Sequence, residues 1–527
     1  MENQHGEDKL PFQPEPYWRE GLDLPKFDPL KEDLEVDVAI VGGGITGITA
    51  AYLLVKEGVK VALLEASQLL NGTTGHTTAK ITAQHGLIYD EFISHFGKSK
   101  ARLYYEANIE ALEFIKNTID ENKISCEFSK EDAYLYSTSE SYAMKIEKEH
   151  NAYKALNIDG DLLYEIPFEV NLHNALVMRD QAQFHPLKYL AVLLKKVQEA
   201  GALIFEETTA VNVEQDSQGT HVLTRDGHRV TCNRVLACSH FPFYEGTGLY
   251  FSRMYADRSY ILAVKAKKDY PGGMFYNVDP PNRSLRSTEM NGETLILIGG
   301  ESHKTGQGKD TLEHYKALET FGETLLGTQE VLYRWSAQDL ITLDKVPYIG
   351  ELSSLQPHVL VATGYRKWGM TNGTAAALLL ADLVLNRKNR FKDLFSPSRF
   401  VADPSLKKFF MDNADVAKHL IAGKFDQPST EIESLANDEG AVVTINGKRK
   451  GAYKDSDGKV YIVDTTCTHI GCEVNWNHGD RTWDCPCHGS RFSYTGEVIE
   501  GPAEKPLARG DDDFKMLDNL TSDDSGY

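Results

Sequence analysis

Two short boxes of cysteine and histidine near the C-terminus constrain this chain more than any other part of its sequence. The first box, residues 467–472, reads Cys-Thr-His-Ile-Gly-Cys, and the second, residues 485–490, reads Cys-Pro-Cys-His-Gly-Ser. Each box offers a thiolate and an imidazole at short spacing. A [2Fe–2S] cluster can be held by two thiolates on one iron and two imidazoles on the other. The predicted ligands are Cys467 and Cys485 for one iron, and His469 and His488 for the other.

A zinc site is the main alternative use of such residues. It would need four ligands of the C-x₂-C type at both ends, and neither box has that spacing with a matching second pair. The boxes instead closely resemble the Rieske proteins of cytochrome bc and b₆f complexes, and the resemblance extends to Gly501-Pro502. It implies a cluster domain in which Ser490 bonds a bridging sulfide. The spare Cys472 and Cys487 stand one on each loop, where a disulfide could join the loops over the cluster.

One departure from those relatives concerns the cluster potential. The high-potential relatives carry a Tyr two residues after the Ser, which donates a hydrogen bond to a cluster-ligating sulfur, whereas this chain has Phe492. Hydrogen bonds to the sulfurs stabilise the more negative reduced state and so raise the potential. We therefore expect a potential below that of the quinol-oxidising relatives, within about −150 to +300 mV. The two imidazoles, expected to be exposed, are the predicted exit for electrons.

Length and charge limit the partners of the chain. With 527 residues it is expected to form two or three domains, and its formal charge of −21 argues against a nucleic-acid partner. No apolar run approaches the ~20 residues of a membrane span, and the polar, acidic first residues lack a signal-peptide core. A cytoplasmic location is therefore expected, in which Cys126, Cys232 and Cys238 would be reduced thiols.

A second motif lies near the N-terminus. Residues 36–41 form a short apolar run, and a glycine turn and an Ala- and Leu-rich helix lead to a second apolar run that ends in Glu65. In a dinucleotide-binding turn, Gly42 makes the tight bend, Gly44 lets the backbone approach a pyrophosphate, and Gly47 lets helix and strand pack closely. The helix N-terminus would face the phosphates, and Glu65 would bond the ribose hydroxyls. Strand, turn, helix and acid in this order predict a Rossmann-like nucleotide-binding domain.

The loop after Glu65 indicates which dinucleotide is bound. Residues 71–85 are rich in Gly and Thr and resemble the flavin-cradling loop of the glycine oxidase, D-amino-acid oxidase and sarcosine dehydrogenase superfamily. Further similar segments are 183–186, 201–237 and 364–373. The resemblance implies FAD rather than NAD, with a helix N-terminus that stabilises charge on the reduced flavin. The further predicted cofactor-binding residues are Thr73, Thr74, His76, Gly364, Lys367, Gly369, Met370 and Thr371.

His76 carries the sharpest expectation within this loop. Dimethylglycine and sarcosine dehydrogenases have a similar stretch, Gly, Ser or Thr, Thr, Trp and His, whose His is bonded covalently to the flavin 8α-methyl group. This chain has Gly75 in place of the Trp, so a covalent bond and a non-covalent contact both remain open. His85 is expected to make an ordinary polar contact below the flavin.

The remaining oxidoreductase sequence predicts a substrate part. Residues 90–170 are expected to be helical because apolar side chains recur at roughly helical spacing, whereas 259–265 and 294–298 are predicted strands of an antiparallel sheet over the flavin. In the resembled family this sheet presents Arg and Tyr side chains to the substrate carboxylate. Tyr260 and Arg286 are the corresponding predicted contacts.

The predicted fold class is α/β plus all-β. A Rossmann-like FAD-binding domain with an antiparallel-sheet substrate domain is followed by a small Rieske β domain. The oxidoreductase, residues 36–395, has nucleotide-binding parts at about 36–90, 171–245 and 340–395 and substrate parts at about 91–170 and 246–339. The other predicted segments are an N-terminal arm (1–35), a linker (396–430), the Rieske domain (431–510) and an acidic tail (511–527).

Two redox centres in one chain predict a dehydrogenase. FAD would oxidise a C–N bond of an amine or amino acid, and the cluster would pass electrons singly to an external acceptor, either a protein or a quinone. An electron-transfer or reductase component and a redox sensor without an amine substrate are the alternatives, although no second glycine loop for NAD(P)H is evident. A ring-hydroxylating oxygenase is disfavoured for two reasons. Such enzymes lack the second Cys that each box has here, and they need a mononuclear iron triad that is not evident in this sequence. The substrate, the acceptor and the oligomeric state stay open.

Overall fold

The computed structural model of the protein describes residues 10–217, 219–399, 402–425 and 430–510. It divides into two compact units. The first takes the described residues up to Tyr250, together with Ser259–Ser302 and Tyr315–Leu406. The second takes Phe251–Arg258, His303–His314 and the described residues from Lys407 onward. The predicted acidic tail lies outside the described residues.

A six-stranded sheet forms the nucleotide-binding part of the first unit. All its strand pairs are parallel except the pair at one edge, which is antiparallel. The strands Val38–Val41 and Val61–Leu64 are buried along their whole length, as is usual for strands covered on both faces. In spatial order the strands are Tyr348–Glu351, Val359–Thr363, Arg234–Ala237, Val38–Val41, Val61–Leu64 and Leu203–Phe205. The accompanying helices are Ile45–Lys56, Pro186–Glu199 and Gly369–Val384.

A nine-stranded sheet forms the substrate part. The strand Ser129–Ser137 runs between the parallel strand Met274–Asn277 and the antiparallel strand Asn174–Gln183. In spatial order the strands are Thr328–Thr342, Met254–Ala266, Glu293–Lys304, Arg283–Met290, Met274–Asn277, Ser129–Ser137, Asn174–Gln183 and Lys80–Ile81, with Asp161–Leu163 also paired to Asn174–Gln183. Further helices are Tyr89–Asn122, Glu140–Leu156, Leu312–Leu326 and Lys392–Phe395. A small four-stranded sheet consists of Leu34–Glu35, Arg229–Cys232, Gly219–Thr224 and Ala210–Asp216.

The expectation of helix throughout residues 90–170 is wrong in part. Two helices are present, but Ser129–Ser137 and Asp161–Leu163 between and after them are strands. In the first of these strands Ala133 and Leu135 are buried and Tyr134 is not, which is the alternation of a strand rather than of a helix. These strands are short and lie beside long helices, so the helical spacing of the neighbouring apolar residues hides them in the sequence.

The N-terminal arm is fixed to the first unit by two aromatic side chains. Trp18 is fully buried, and its Nε1 donates a hydrogen bond to the carbonyl of Thr77 at 2.8 Å. The hydroxyl of Tyr17 is hydrogen-bonded to Thr288 at 2.5 Å. These contacts agree with a structural role for the arm.

The second unit contains two small antiparallel sheets. One has the strands Glu439–Ile445, Lys448–Lys454 and Val460–Asp464, and the other has Asn475–Asn477, Thr482–Asp484, Arg491–Ser493 and Val498–Glu500. Asn446 and Gly447 both have positive φ, which the two-residue hairpin turn after Ile445 requires. The helix Ala402–Phe425 precedes these sheets. None of the described helices combines the length and the apolar character that a membrane crossing requires.

The composition of the second unit differs from the predicted domain bounds. Phe251–Arg258 and His303–His314 were assigned by sequence to the substrate part, but they pack with the C-terminal sheets. The hydroxyl of Thr311 donates to Asn477 Oδ1 at 2.7 Å, and the side-chain Nδ2 of Asn475 donates to the carbonyl of Gly306 at 2.9 Å. These two segments precede the cluster boxes by well over a hundred residues and nevertheless belong to the same unit as the boxes.

Candidate flavin site and iron–sulfur centre

The glycine turn has the close backbone contacts that exclude larger residues. Gly42 has a φ of 110°, and a Cβ there would lie 2.5 Å from the carbonyl oxygen of Cys238. A Cβ on Gly47 would lie 2.0 Å from the carbonyl oxygen of Gly42. The helix Ile45–Lys56 begins directly after this turn. A narrow turn at a helix N-terminus fits the pyrophosphate of a dinucleotide.

Glu65 lies where the second strand ends and closes over the turn. Its Oε2 accepts a hydrogen bond from the Gly43 amide at 2.8 Å, and its Oε1 accepts one from the Ser67 amide at 3.1 Å. Burial raises the pKa of Glu65, while the backbone donors oppose that effect. The carboxyl group thus ties the two strand ends together, and its predicted bond to the ribose stays a prediction.

The loop that carries His76 is a short 3₁₀ turn, Thr73–His76. Thr74 accepts a hydrogen bond from the amide of Ile45 through its Oγ1 at 3.1 Å, which fixes the loop to the helix start. His76 Nδ1 lies 2.9 Å from the carbonyl of Gly72. A Cβ on Gly75 would lie 2.2 Å from the carbonyl oxygen of Leu70, so this backbone has no room for the Trp of the covalent enzymes. Whether His76 bonds FAD covalently stays a prediction.

The predicted C-terminal part of the flavin site is a turn followed by a helix. Gly364 and Lys367 have φ values of 80° and 61°, and the helix Gly369–Val384 follows. Lys367 donates from its amide to Asp339 Oδ1 at 3.0 Å and from its Nζ to Ser302 Oγ at 2.6 Å. In the first helical turn Met370 and Thr371 are buried.

His85 lies in a buried polar network that the sequence only partly indicated. Its Nε2 is 2.7 Å from the carbonyl of Thr82, and its Nδ1 is 2.7 Å from the hydroxyl of Tyr104. A carbonyl can only accept, so Nε2 carries the proton of the neutral ring and Tyr104 donates to Nδ1. Burial, and then the charge of Arg366, lowers the pKa of His85 well below its ordinary value. The ring stacks on Trp368 with centroids 4.8 Å apart, a contact with no signal in the sequence.

The two predicted substrate contacts are corrected by the structure. Tyr260 is fully buried and packs edge-on against Tyr315, with ring centroids 4.9 Å apart. Arg286 is 2% exposed, and its guanidinium donates to the carbonyls of Thr78, Ala79 and Ser287, each at 3.0 Å. Neither side chain presents a surface to a ligand. Both hold protein elements together.

The four predicted cluster ligands come together at the ends of two loops. The rings of His469 and His488 have centroids 5.1 Å apart, and Cys467 and Cys485 are buried next to each other. A hydrogen bond from the Cys485 thiol lowers the pKa of Cys467 to about 7, which favours the thiolate. The buried Nδ1 of His488 has no hydrogen-bond partner among the described residues, so it is available to a metal. Two thiols and two imidazoles in this arrangement fit a Rieske [2Fe–2S] cluster.

The predicted disulfide is confirmed. Cys472 and Cys487 are bonded to each other and join the two loops. The sulfurs of Cys472, Cys485 and Cys487 lie within 4.8 Å of one another, but two of these sulfurs are used in the disulfide, so this group is not a metal site. Phe492 is fully buried, and Ser490 Oγ accepts a hydrogen bond from the Ala503 amide at 3.0 Å.

The expectation of two exposed imidazoles is wrong for at least one of them. His488 is 4% exposed, and the ring of Phe251 packs edge-on against it with centroids 5.4 Å apart. Phe251 also contacts the half-buried ring of His469, with centroids 6.0 Å apart. No sequence motif pointed to Phe251, because it lies more than 200 residues before the boxes.

A buried ion-pair network fixes the segment that carries Phe251. The guanidinium of Arg258 is fully buried and lies 3.4 Å from Asp480, 3.5 Å from Asp484 and 3.4 Å from Glu500. Arg491 contacts the same three carboxylates at 3.1 to 3.6 Å. Two guanidinium groups thus satisfy three acids inside the second unit, next to the second cluster box.

Comparisons with known proteins agree with both halves of this description. The family model of the FAD dependent oxidoreductases (DAO) matches residues 37–383, and that of the Rieske [2Fe-2S] domain matches residues 426–511. YhfW of Bacillus subtilis (strain 168), named for a Rieske 2Fe-2S iron-sulfur protein, is 52% identical over 97% of this chain and 100% of its own length.

More distant relatives match the flavoprotein part. The gamma-glutamylputrescine oxidoreductase of Escherichia coli (strain K12) is 23% identical over 69% of this chain and 87% of its own length. The crystal structure of glycine oxidase from Geobacillus kaustophilus shares the fold, with a TM-score of 0.60 and 20% identity over 70% of this chain and 99% of that one. The predicted fold class and both predicted cofactors are therefore confirmed. The chain belongs to the FAD-dependent oxidoreductase family, with a DAO domain that binds FAD and a C-terminal Rieske domain that binds a [2Fe–2S] cluster.

Proposed function

We propose that the protein oxidises a C–N bond of an amine or amino acid and passes the electrons singly, through its Rieske cluster, to an external acceptor. The observation that carries this proposal is the occurrence of two cofactor sites in one chain. The glycine turn at Gly42 fits a dinucleotide, and the paired boxes bring two thiols and two imidazoles together. One relative is named for gamma-glutamylputrescine and one structural neighbour for glycine, and both of these compounds contain C–N bonds.

When bound, FAD supplies the two-electron oxidation and the cluster supplies one-electron transfer. The substrate loses a hydride from carbon and a proton from nitrogen, its C–N single bond becomes C=N, and water hydrolyses the imine. Two equivalents of a one-electron acceptor are then reduced in each turnover. The second box lies in a buried loop, and the disulfide between Cys472 and Cys487 joins this loop to the first box. The disulfide would therefore help to hold the Cys and His ligands of both boxes in place.

The chain's own residues prepare the flavin side of this reaction by orientation. His85 is neutral and buried, so its ring supports the stacked ring of Trp368 without adding a charge to this part of the site. The N-terminus of the helix Gly369–Val384 carries partial positive charge, which would stabilise negative charge that develops on a nearby ring. Hydride transfer depends on such orientation more than on a strong protein base.

An anaerobic substrate screen tests the proposal. The purified protein is mixed with amines, amino acids and NAD(P)H in turn, and the visible flavin absorbance is followed. Bleaching by an amine or amino acid, with release of ammonia or a shorter amine, is the expected result. Bleaching by NAD(P)H alone would instead identify a reductase component, and no bleaching by any of these compounds would identify a redox sensor.

A further inference from the structure

The two predicted iron-ligating imidazoles differ in their access to solvent. His488 is 4% exposed, whereas His469 is half-buried and stands between the exposed residues Thr468 and Ile470. The ring of Phe251 packs edge-on against His488 with centroids 5.4 Å apart, and its centroid lies 6.0 Å from that of His469. Phe251 therefore covers the imidazole of the second box more closely than that of the first.

The segment Phe251–Arg258 is anchored on both sides of this contact. Next to Phe251, the carbonyl of Ser252 accepts a hydrogen bond from the side-chain Nδ2 of Asn413 at 3.2 Å. At the other end, the fully buried guanidinium of Arg258 lies among three carboxylates of the second unit. The segment belongs to the same unit as the boxes. The position of the Phe251 ring is thus set by the fold around the cluster ligands.

A narrow cleft adjoins the ring of Phe251. Its lining includes Met254, Val416 and Gly489, and Gly489 directly follows His488 in the chain. In the intact protein an apolar ring, rather than water, faces the imidazole of His488 on this side. Truncation of the ring would extend the cleft toward His488 and admit water to it.

Water access to an iron–sulfur cluster changes its reduction potential. In an oxidised cluster with two thiolate and two neutral imidazole ligands, the charges of the irons, sulfides and thiolates cancel. Reduction by one electron then leaves a net negative charge. Water stabilises that charge and an apolar covering does not, so burial of a ligand lowers the potential.

We propose that Phe251 is a positioning residue of the iron–sulfur centre, which excludes water from His488 and thereby lowers the reduction potential of the cluster. This effect adds to the one expected from Phe492, because Phe492 withholds a hydrogen bond from a sulfur and Phe251 withholds solvent from an imidazole. A cluster of lower potential is a stronger reductant toward its acceptor. The inference concerns the cluster itself and does not depend on the proposed substrate.

A redox titration of the full-length holoprotein with a chemical reductant, at one pH and followed by electron paramagnetic resonance, tests the proposal. At the midpoint potential of the wild-type cluster, Phe251→Ala should raise the ratio of reduced to oxidised cluster about tenfold, which corresponds to a shift of about 59 mV to higher potential. Phe251→Leu keeps an apolar cover and should give a much smaller rise. Tyr494→Leu removes a half-buried ring that packs against Tyr453 and Tyr461 in the same unit, and it should leave the ratio unchanged.

The iron content of each variant separates an effect on the potential from a purely structural role. A Phe251→Ala protein that keeps its cluster at an unchanged or lower potential would overturn the inference, as would loss of the cluster from both Phe251 variants. If only Phe251→Ala loses its cluster, Phe251→Leu decides the question, because a rise in its potential supports the inference and the absence of a rise overturns it. The titration uses no amine or amino acid, so its outcome is independent of the substrate screen.

Discussion

The buried network around Arg258 allows a prediction for the substitution Arg258→Met. This change removes a guanidinium that is fully buried against three carboxylates, while a Met side chain fills much of the same volume. The side chains of Asp480 and Asp484 are only 5% and 3% exposed, so water cannot replace the lost partner. Breaking a buried ion pair typically costs about 3–5 kcal/mol.

The expected loss of unfolding free energy in Arg258→Met lies at the lower end of that range. Arg491 remains in contact with all three acids and continues to neutralise part of their charge. We therefore expect the free energy of unfolding of the second unit to fall by about 3 kcal/mol, which corresponds to roughly 10–12 °C for a unit of this size. Phe251, at the start of the segment Phe251–Arg258, contacts both cluster histidines. The cluster should therefore be lost in the same transition.

The assay is thermal unfolding of the full-length holoprotein, in which the flavin absorbance and the cluster absorbance are recorded simultaneously. Arg509→Met is the matched control, because Arg509 pairs with Glu497 at the surface and both side chains are more than half exposed. An exposed pair contributes only about 0–1 kcal/mol. The reasoning is refuted if Arg258→Met shifts the cluster transition no more than this control does.

Three further predictions concern the cluster potential, the pH dependence of stability and the flavin linkage. Phe492→Tyr should raise the cluster midpoint potential by about 60 mV in a redox titration followed by electron paramagnetic resonance, because a hydrogen bond to a charged group is worth about 1.5 kcal/mol; an unchanged potential would show that the hydroxyl does not reach a sulfur. Burial raises the pKa of Glu149 to about 7, so the folded state binds its proton more tightly than the unfolded state does. Stability should therefore fall by up to about 3 kcal/mol as the pH rises from about 4.5 to 7, and Glu149→Gln should remove that slope in urea titrations at several pH values. If His76 is bonded to FAD, acid-denatured wild-type protein should keep its flavin and His76→Ala should release it, whereas flavin found wholly in the wild-type supernatant rules the bond out.

What could be predicted from the sequence is local along the chain. The glycine turn and the two Cys and His boxes each lie within a few residues of one another, so their chemistry is readable without tertiary information. The disulfide joins two such boxes, Cys472 and Cys487. The hairpin at Asn446 is equally local, because two residues of positive φ define its turn.

What could not be predicted depends on contacts between distant segments. Phe251 and Arg258 carry no signal in their own neighbourhood, and only the folded unit brings them to the cluster histidines and to Asp480. Arg286 was assigned to the substrate because of its residue type and its place in the sheet. The structure shows that carbonyls of the turn before Lys80 occupy its donors. A polar residue type in a strand does not reveal which acceptors the fold brings to it.

If the proposed function is correct, the FAD and the Rieske cluster of this chain exchange electrons. The most direct measurement is anaerobic rapid mixing of the purified protein with a reducing amino acid, with flavin absorbance and electron paramagnetic resonance recorded on the same samples. We predict that the flavin bleaches first, that a rhombic [2Fe–2S] signal then grows, and that Cys485→Ser keeps the first event and loses the second. Protein that lacks either cofactor, or a cluster that stays oxidised while the flavin remains reduced, would contradict the account.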